Sequence, residues 1–189
     1  MTENDPAALA EIQLFDDTLS CDVELPVAFI PGASITRPGA SEMLLRSVAL
    51  VEDSRSAEDG EERSDTTAQL QRLEARMDLA LVLLGRLLQH ASPALPGCAV
   101  RWSRRGLRLD TRQATGLAPG TAGLIRLQPA EWLPDHVELP AVVLAEAATA
   151  DGSRLWLGQQ AVSEPLAAAL ERHLFRLHRR QIADSRRYR

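Results

Sequence analysis

The chain has 189 residues, 45% of them hydrophobic and 25% charged, the balance of a globular protein that can bury a core. Aromatic residues make up only 4%, which argues against a single-stranded nucleic-acid channel of stacked rings, and no apolar run approaches the roughly 18 residues of a membrane helix. The net charge of −5 divides unevenly: residues 1–66 hold four Arg against fifteen acids, the remainder 17 Arg against 11, and no Lys exists to serve a phosphate loop or a Schiff base.

The opening MTENDPAALAEIQ has no basic n-region and no apolar h-region, so no secretion signal is expected. Residues 1–20 are acidic and weakly patterned; Glu11-Ile12-Gln13-Leu14-Phe15 predicts a strand or an arm laid on the body. Residues 23–30, VELPVAFI, read as the first core strand, ended by Pro31-Gly32, with Pro26 pointing to an edge position or a strand start. Cys21 and Cys98 are far apart, which fits a reducing cytoplasm better than a disulfide framework.

Pro38-Gly39-Ala40-Ser41 opens a helix, with Ser41 as N-cap and Met43, Leu44, Val48 and Val51 at helical spacing. Residues 52–66, EDSRSAEDGEERSDT, carry no large apolar side chain and predict a solvated linker or a frayed helix end. From Ser64 to His90 the apolar positions Leu70, Leu73, Met77, Ala80, Leu84 and Leu87 step by three and four, an a/d seam stopped by Pro93 and Pro96. Leu81, Leu83 and Leu88 add apolar side chains beside that seam. A dimer normally keeps those positions charged, so residues 64–90 predict self-association, with a trimer or tetramer ahead of a dimer.

After residue 96 the period becomes that of strands, at 97–103, 105–111, 121–128, 137–146 and 153–159. The turns between them fall at Ala118-Pro119-Gly120, Pro134-Asp135 and Asp151-Gly152. With 23–30 this gives six strands, suited to a small antiparallel barrel that hides its own edges, and hence an α+β fold. A last helix is expected from about Ser163 to Asp184, with a stripe of Leu166, Leu170, Leu174 and Leu177. Its polar side, Arg172, Arg176, Arg179 and Arg180, reads as a solvated face that also pairs with the acidic first third.

Catalytic constellations are weak, and no enzyme activity is expected. His90, His136, His173 and His178 are scattered with neither HExxH nor CxxC, so no metal is implied. A trio of Ser103, His136 and Asp110 has no GxSxG context. GLAPGTAG at 116–123 reads as a pair of β-turns. Arg101-Trp102-Ser103-Arg104-Arg105-Gly106 is different: it joins two strands through an SxxG turn crowded with guanidinium groups, which suit bidentate phosphate contacts and can stack on purines. Arg101, Ser103, Arg104, Arg105 and Gly106 are therefore the candidate ligand-binding residues; the alternative is a hairpin with solvated arginines.

Here the chain resembles the PilZ domain, the bacterial receptor module for cyclic di-GMP. RWSRRGLRLD looks like that family's D/N-x-S-x-x-G signature and its following strand, and LAPGTAGLIRL with LPAVVL resembles its next barrel strands. The resemblance covers about 23–30 and 97–180. Helices at 41–92, inserted after the first strand, are similar to those of the atypical, tetrameric PilZ subgroup. It implies one PilZ-like domain over 1–189: a six-stranded barrel from about 23–30 and 97–160, an inserted helical oligomerisation region at 41–92 and a C-terminal helix at 163–186.

Two departures bear on the ligand. Arg101 stands where the family has Asp or Asn. The family's RxxxR clamp precedes its first strand, yet residues 1–36 hold no Arg or Lys and carry Asp16, Asp17, Asp22 and Glu24 instead. The expectation is a cytoplasmic, non-enzymatic PilZ-type protein with no cofactor, no DNA partner and no membrane insertion. It forms a homotetramer, docks other signalling proteins and binds cyclic di-GMP weakly or not at all; the alternative is a genuine receptor using the RWSRRG hairpin.

Overall fold

The computed structural model describes residues 5–35, 37, 39–57, 77, 95–130, 132, 133 and 135–187. Helix α1 (Pro6–Phe15) is followed by strand β1 (Ser20–Pro31) and helix α2 (Ala40–Ala57). Then come β2 (Gly97–Ser103), β3 (Gly106–Thr111), β4 (Ala122–Leu127), β5 (Val137–Thr149), β6 (Gly152–Gln159) and helix α3 (Glu164–Arg187). The strands close into an antiparallel barrel in the order β1-β2-β3-β6-β5-β4, so the six-stranded α+β expectation holds. The seam at 64–90 lies outside the described residues except for Met77, which is helical and exposed, and 58–63 lie outside them too.

The barrel forms because its strands alternate. Val100 and Trp102, Leu107 and Leu109, and Leu155 and Leu157 point into the core, while Arg101, Arg108 and Trp156 stand on the outer face. Leu45 of α2 and Leu166, Ala169, Leu170 and Leu174 of α3 join the same buried cluster, so both helices complete the core. A smaller cluster lies outside the barrel wall, where Ala10, Leu14 and Phe15 of α1 pack on Ala145 and Trp156. Among the described residues no helix is long and apolar enough to cross a membrane.

Four local expectations are corrected. Residues 6–15 form a helix and not a strand, laid on the barrel wall: Asp5 caps it by accepting from the Ala7 amide at 3.0 Å, and Pro6 occupies the first turn, where its missing N–H costs nothing. Pro26 lies at no edge, because the barrel has none. It sits where β1 changes partner, pairing with β2 as far as Pro26↔Gly97 and with β4 from Val27↔Leu127 onward. The buried face of α2 is Leu45 and Val48, whereas Met43 is exposed. The helix itself runs on through Ala57, as the helix-end reading of residues 52–66 expects.

Ser41 is the fourth. It lies within α2 and not at its cap, and it binds β5. Its hydroxyl accepts from the Glu138 amide at 2.8 Å and lies 3.1 Å from the Glu138 carbonyl, to which it donates. Glu138 pairs with Arg126 on the β4 side, but β6 reaches β5 only from Ala141↔Gln159. The serine thus supplies the ladder partner that β6 is too short to provide. The expected pairing of the last helix with the acidic third is present: Glu52 of α2 lies 2.9 Å from Arg180 and 3.6 Å from Arg176.

Candidate functional site

Strands β2 and β3 pair from Val100↔Leu109 to Ser103↔Gly106, which leaves Arg104 and Arg105 as a two-residue turn. The Ser103 hydroxyl accepts from the Arg105 amide at 3.1 Å, fixing the turn from within. Gly106 has φ of 151°, a conformation other residues rarely adopt. A side-chain carbon there would strike the Leu157 carbonyl on β6 and crowd Leu14 of α1. The glycine is needed for close approach of its neighbours, and one of those neighbours is α1.

The outer face beside this turn is occupied by α1. Arg101 donates through Nη1 to Glu11 Oε1 at 2.9 Å, and Arg108 donates to the same oxygen at 2.7 Å. The other carboxylate oxygen, Glu11 Oε2, accepts from the indole Nε1 of Trp156 at 2.7 Å. Arg101 also lies 4.7 Å over the Phe15 ring and within 3.3–3.4 Å of the Ser20 hydroxyl. Donors from β2, β3 and β6 therefore converge on one carboxylate.

The C-terminal end of α1 is held by the turn. Its last carbonyls have no partner within the helix and need donors from elsewhere. Ser103 donates to the Leu14 carbonyl at 2.7 Å, and Arg105 Nη1 donates to the carbonyls of Asp16 at 2.8 Å and Gln13 at 3.3 Å. A guanidinium at a helix C-terminus also suits the helix dipole.

A cavity of about 260 Å³ opens next to this contact on the β1-β2-β3 surface; Asp22, Glu24, Arg101, Arg108 and Asp110 contribute its charged lining. Asp110 is tied to Arg154, at 2.6 Å to Nε and 3.0 Å to Nη2, and that guanidinium holds its carboxyl below the ordinary value. Arg104 is exposed and borders a second hollow of about 200 Å³ with Asp17 and Glu171.

The five candidate residues are thus together on one hairpin, but four of them face the chain's own helix. Ser103 is fully buried and its hydroxyl is engaged by Leu14, so it does not face solvent as a ligand donor. Arg101 and Arg105 hold α1, Gly106 packs on it, and Arg104 alone of the five points clear. The Ser103, His136 and Asp110 trio is dispersed: Asp110 binds Arg154, while His136 stands beside Asp135 and Glu138. Glu11 and Trp156 did not stand out from the sequence. The signal for Glu11 was the Asp5-Pro6 cap before Ala-Ala-Leu-Ala-Glu-Ile, which places Glu11 one turn after Ala7 on the barrel-facing side.

Residues 45–187 match the family model described as atypical PilZ domain, cyclic di-GMP receptor. A solved protein from Xanthomonas campestris, described as pathogenic and as a tetrameric PilZ domain self-assembled through a helical bundle, is 45% identical to this chain. The match covers 94% of this chain and 97% of that one, with a TM-score of 0.79. The cyclic di-GMP-bound PilZ domain of YcgR from Escherichia coli is 17% identical, with 47% of this chain and 76% of that one covered at a TM-score of 0.38. No curated protein matches the chain.

Proposed function

Because the chain belongs to the atypical PilZ domain family, we propose that it is a non-enzymatic, cytoplasmic component of cyclic di-GMP signalling that self-associates through residues 64–90. It forms a homotetramer, docks other signalling proteins and binds the nucleotide weakly or not at all in the standard manner. Self-association is supported by the apolar seam Leu70, Leu73, Met77, Ala80, Leu81, Leu84, Leu87 and Leu88, and by the tetrameric relative that aligns along 94% of the chain. Weak binding is supported by one observation above all: the hairpin's donors Arg101, Ser103 and Arg105 already bond to α1.

Equilibrium sedimentation at micromolar concentration tests the assembly, and a plain monomer would refute it. Changing Leu73 and Leu84 together to Asp is expected to dissociate the tetramer and leave the barrel folded. Isothermal titration with cyclic di-GMP tests the nucleotide half, with little or no heat expected. The second reading, a receptor that binds through the RWSRRG hairpin, draws on exposed Arg104 beside its hollow. It requires low-micromolar binding that disappears in an Arg104→Ala, Arg105→Ala variant.

A further inference from the structure

We propose that Arg101, Arg108 and Trp156 form a phosphate-binding site that Glu11 of α1 keeps occupied, making α1 a latch that a phosphodiester ligand must displace. The inference rests on the reading of weak nucleotide binding above and supplies its cause. Two guanidinium groups and an indole N–H from three strands meet one carboxylate at 2.7–2.9 Å. The same donors suit phosphate oxygens, and a phosphodiester carries the same single negative charge as the carboxylate it replaces. The exchange therefore leaves the net charge of the cluster unchanged.

The neighbouring cavity narrows the ligand class. Its lining continues from Arg101 and Arg108 to Asp22 and Glu24. Carboxylates beside the site repel a bare anion but accept N–H donors, such as the amide and amino edge of a guanine. The surface therefore fits a phosphodiester that carries such a base better than it fits inorganic phosphate.

The latch is built unevenly. Leu14 and Phe15 anchor its C-terminal end in the cluster with Ala145 and Trp156. The turns that carry Glu11 pack through the small side chains of Ala7 and Ala10, while Leu9 and Ile12 face outward and are exposed. Ten residues are too few to stay helical without a surface beneath them. Loss of the Glu11 contact thus frees the N-terminal turns without emptying the core. A ligand that competes with the latch sees an affinity reduced by the fraction of molecules in which it is open.

Titrations of cyclic di-GMP and of pyrophosphate into the wild type, Glu11→Ala, Glu11→Gln and the Glu11→Ala, Arg108→Ala double variant test this. The fold of each is checked by circular dichroism, and the Trp156 indole N–H resonance reports the latch contact. Glu11→Ala is expected to bind cyclic di-GMP at least tenfold more tightly than the wild type, and the double variant to lose that gain. The isosteric Glu11→Gln carries the test should the alanine variant fold poorly. A gain for pyrophosphate that depends on Arg108, with none for cyclic di-GMP, upholds the latch and removes the nucleotide reading. Folded Glu11 variants that bind both probes no better than the wild type overturn the latch.

Discussion

The imidazole of His173 lies 5.6 Å from the indole of Trp102, centroid to centroid, with the two planes tilted by 54° and both rings sealed from solvent. Neither imidazole nitrogen has a hydrogen-bond partner among the described residues. Burial pushes the His173 pKa down to about 4; Glu52 on α2 opposes the shift, and Arg176 and Arg180 on α3 add to it.

A pH dependence follows. Between about pH 6.5 and 4 the unfolded chain binds a proton at this histidine that the folded chain does not, so stability rises with pH across that window. Its contribution is fully present above pH 6.5 and falls by about 3 kcal/mol as pH drops toward 4. Urea unfolding of the wild type and His173→Phe at pH 7, 5.5 and 4.5 checks it. The variant should show a visibly smaller acid loss; parallel curves would remove His173 as the cause.

Ser41→Ala should cost about 1–3 kcal/mol, because it removes the hydroxyl that bonds both the Glu138 amide and the Glu138 carbonyl in a buried setting. Ser41→Thr keeps the hydroxyl and should lose less. Chemical denaturation of the three proteins decides the matter, and an alanine variant as stable as the wild type would show that water replaces the serine.

Gly106→Ala should destabilise the barrel by about 3 kcal/mol or more, since it combines an unfavourable φ with a collision against the Leu157 carbonyl. Thermal melts measure the loss. Gly116, also at positive φ but with open space around it, serves as the comparison and should lose less on the same substitution.

The two cysteines should differ in reactivity. Cys21 is buried, its thiol donates to the Leu174 carbonyl at 3.3 Å, and burial followed by the charge of Asp22 pushes its pKa up to about 11. Cys98 is partly exposed, although burial raises its pKa as well. Alkylation at pH 8 should therefore label one thiol per folded chain, at Cys98, and two in denaturant; equal labelling of both in the native protein would contradict the buried position of Cys21.

The strands were legible because turn residues bound them and some alternate cleanly: in GLRLDT, Leu107 and Leu109 enter the core while Arg108 faces out. Residues 6–15 were misread because their few apolar side chains are divided between the barrel wall and solvent, Leu14 being buried and Ile12 exposed. The hairpin was recognisable from Ser103 and Gly106, but its occupation by Glu11 was not. That contact joins positions 90, 97 and 145 residues apart, and only the curvature of the closed barrel brings them together. The burial of His173 was illegible for a related reason, since nothing in a basic helix marks one histidine as the residue that faces an indole.

The backbone leaves the barrel after Pro31 and returns at Pro96, whose carbonyl accepts from the Val27 amide at 2.9 Å. Exit and re-entry are stitched to neighbouring rungs of one wall, the Gly32 amide donating to the Ala122 carbonyl at 2.9 Å on the way out. The excursion is not a free loop, because its first helix returns to the wall through Leu45 and the Ser41 hydroxyl. The pairing of β1 with β2 and β4 nonetheless rests on rungs that lie wholly outside the excursion, so the wall is closed by its own strands.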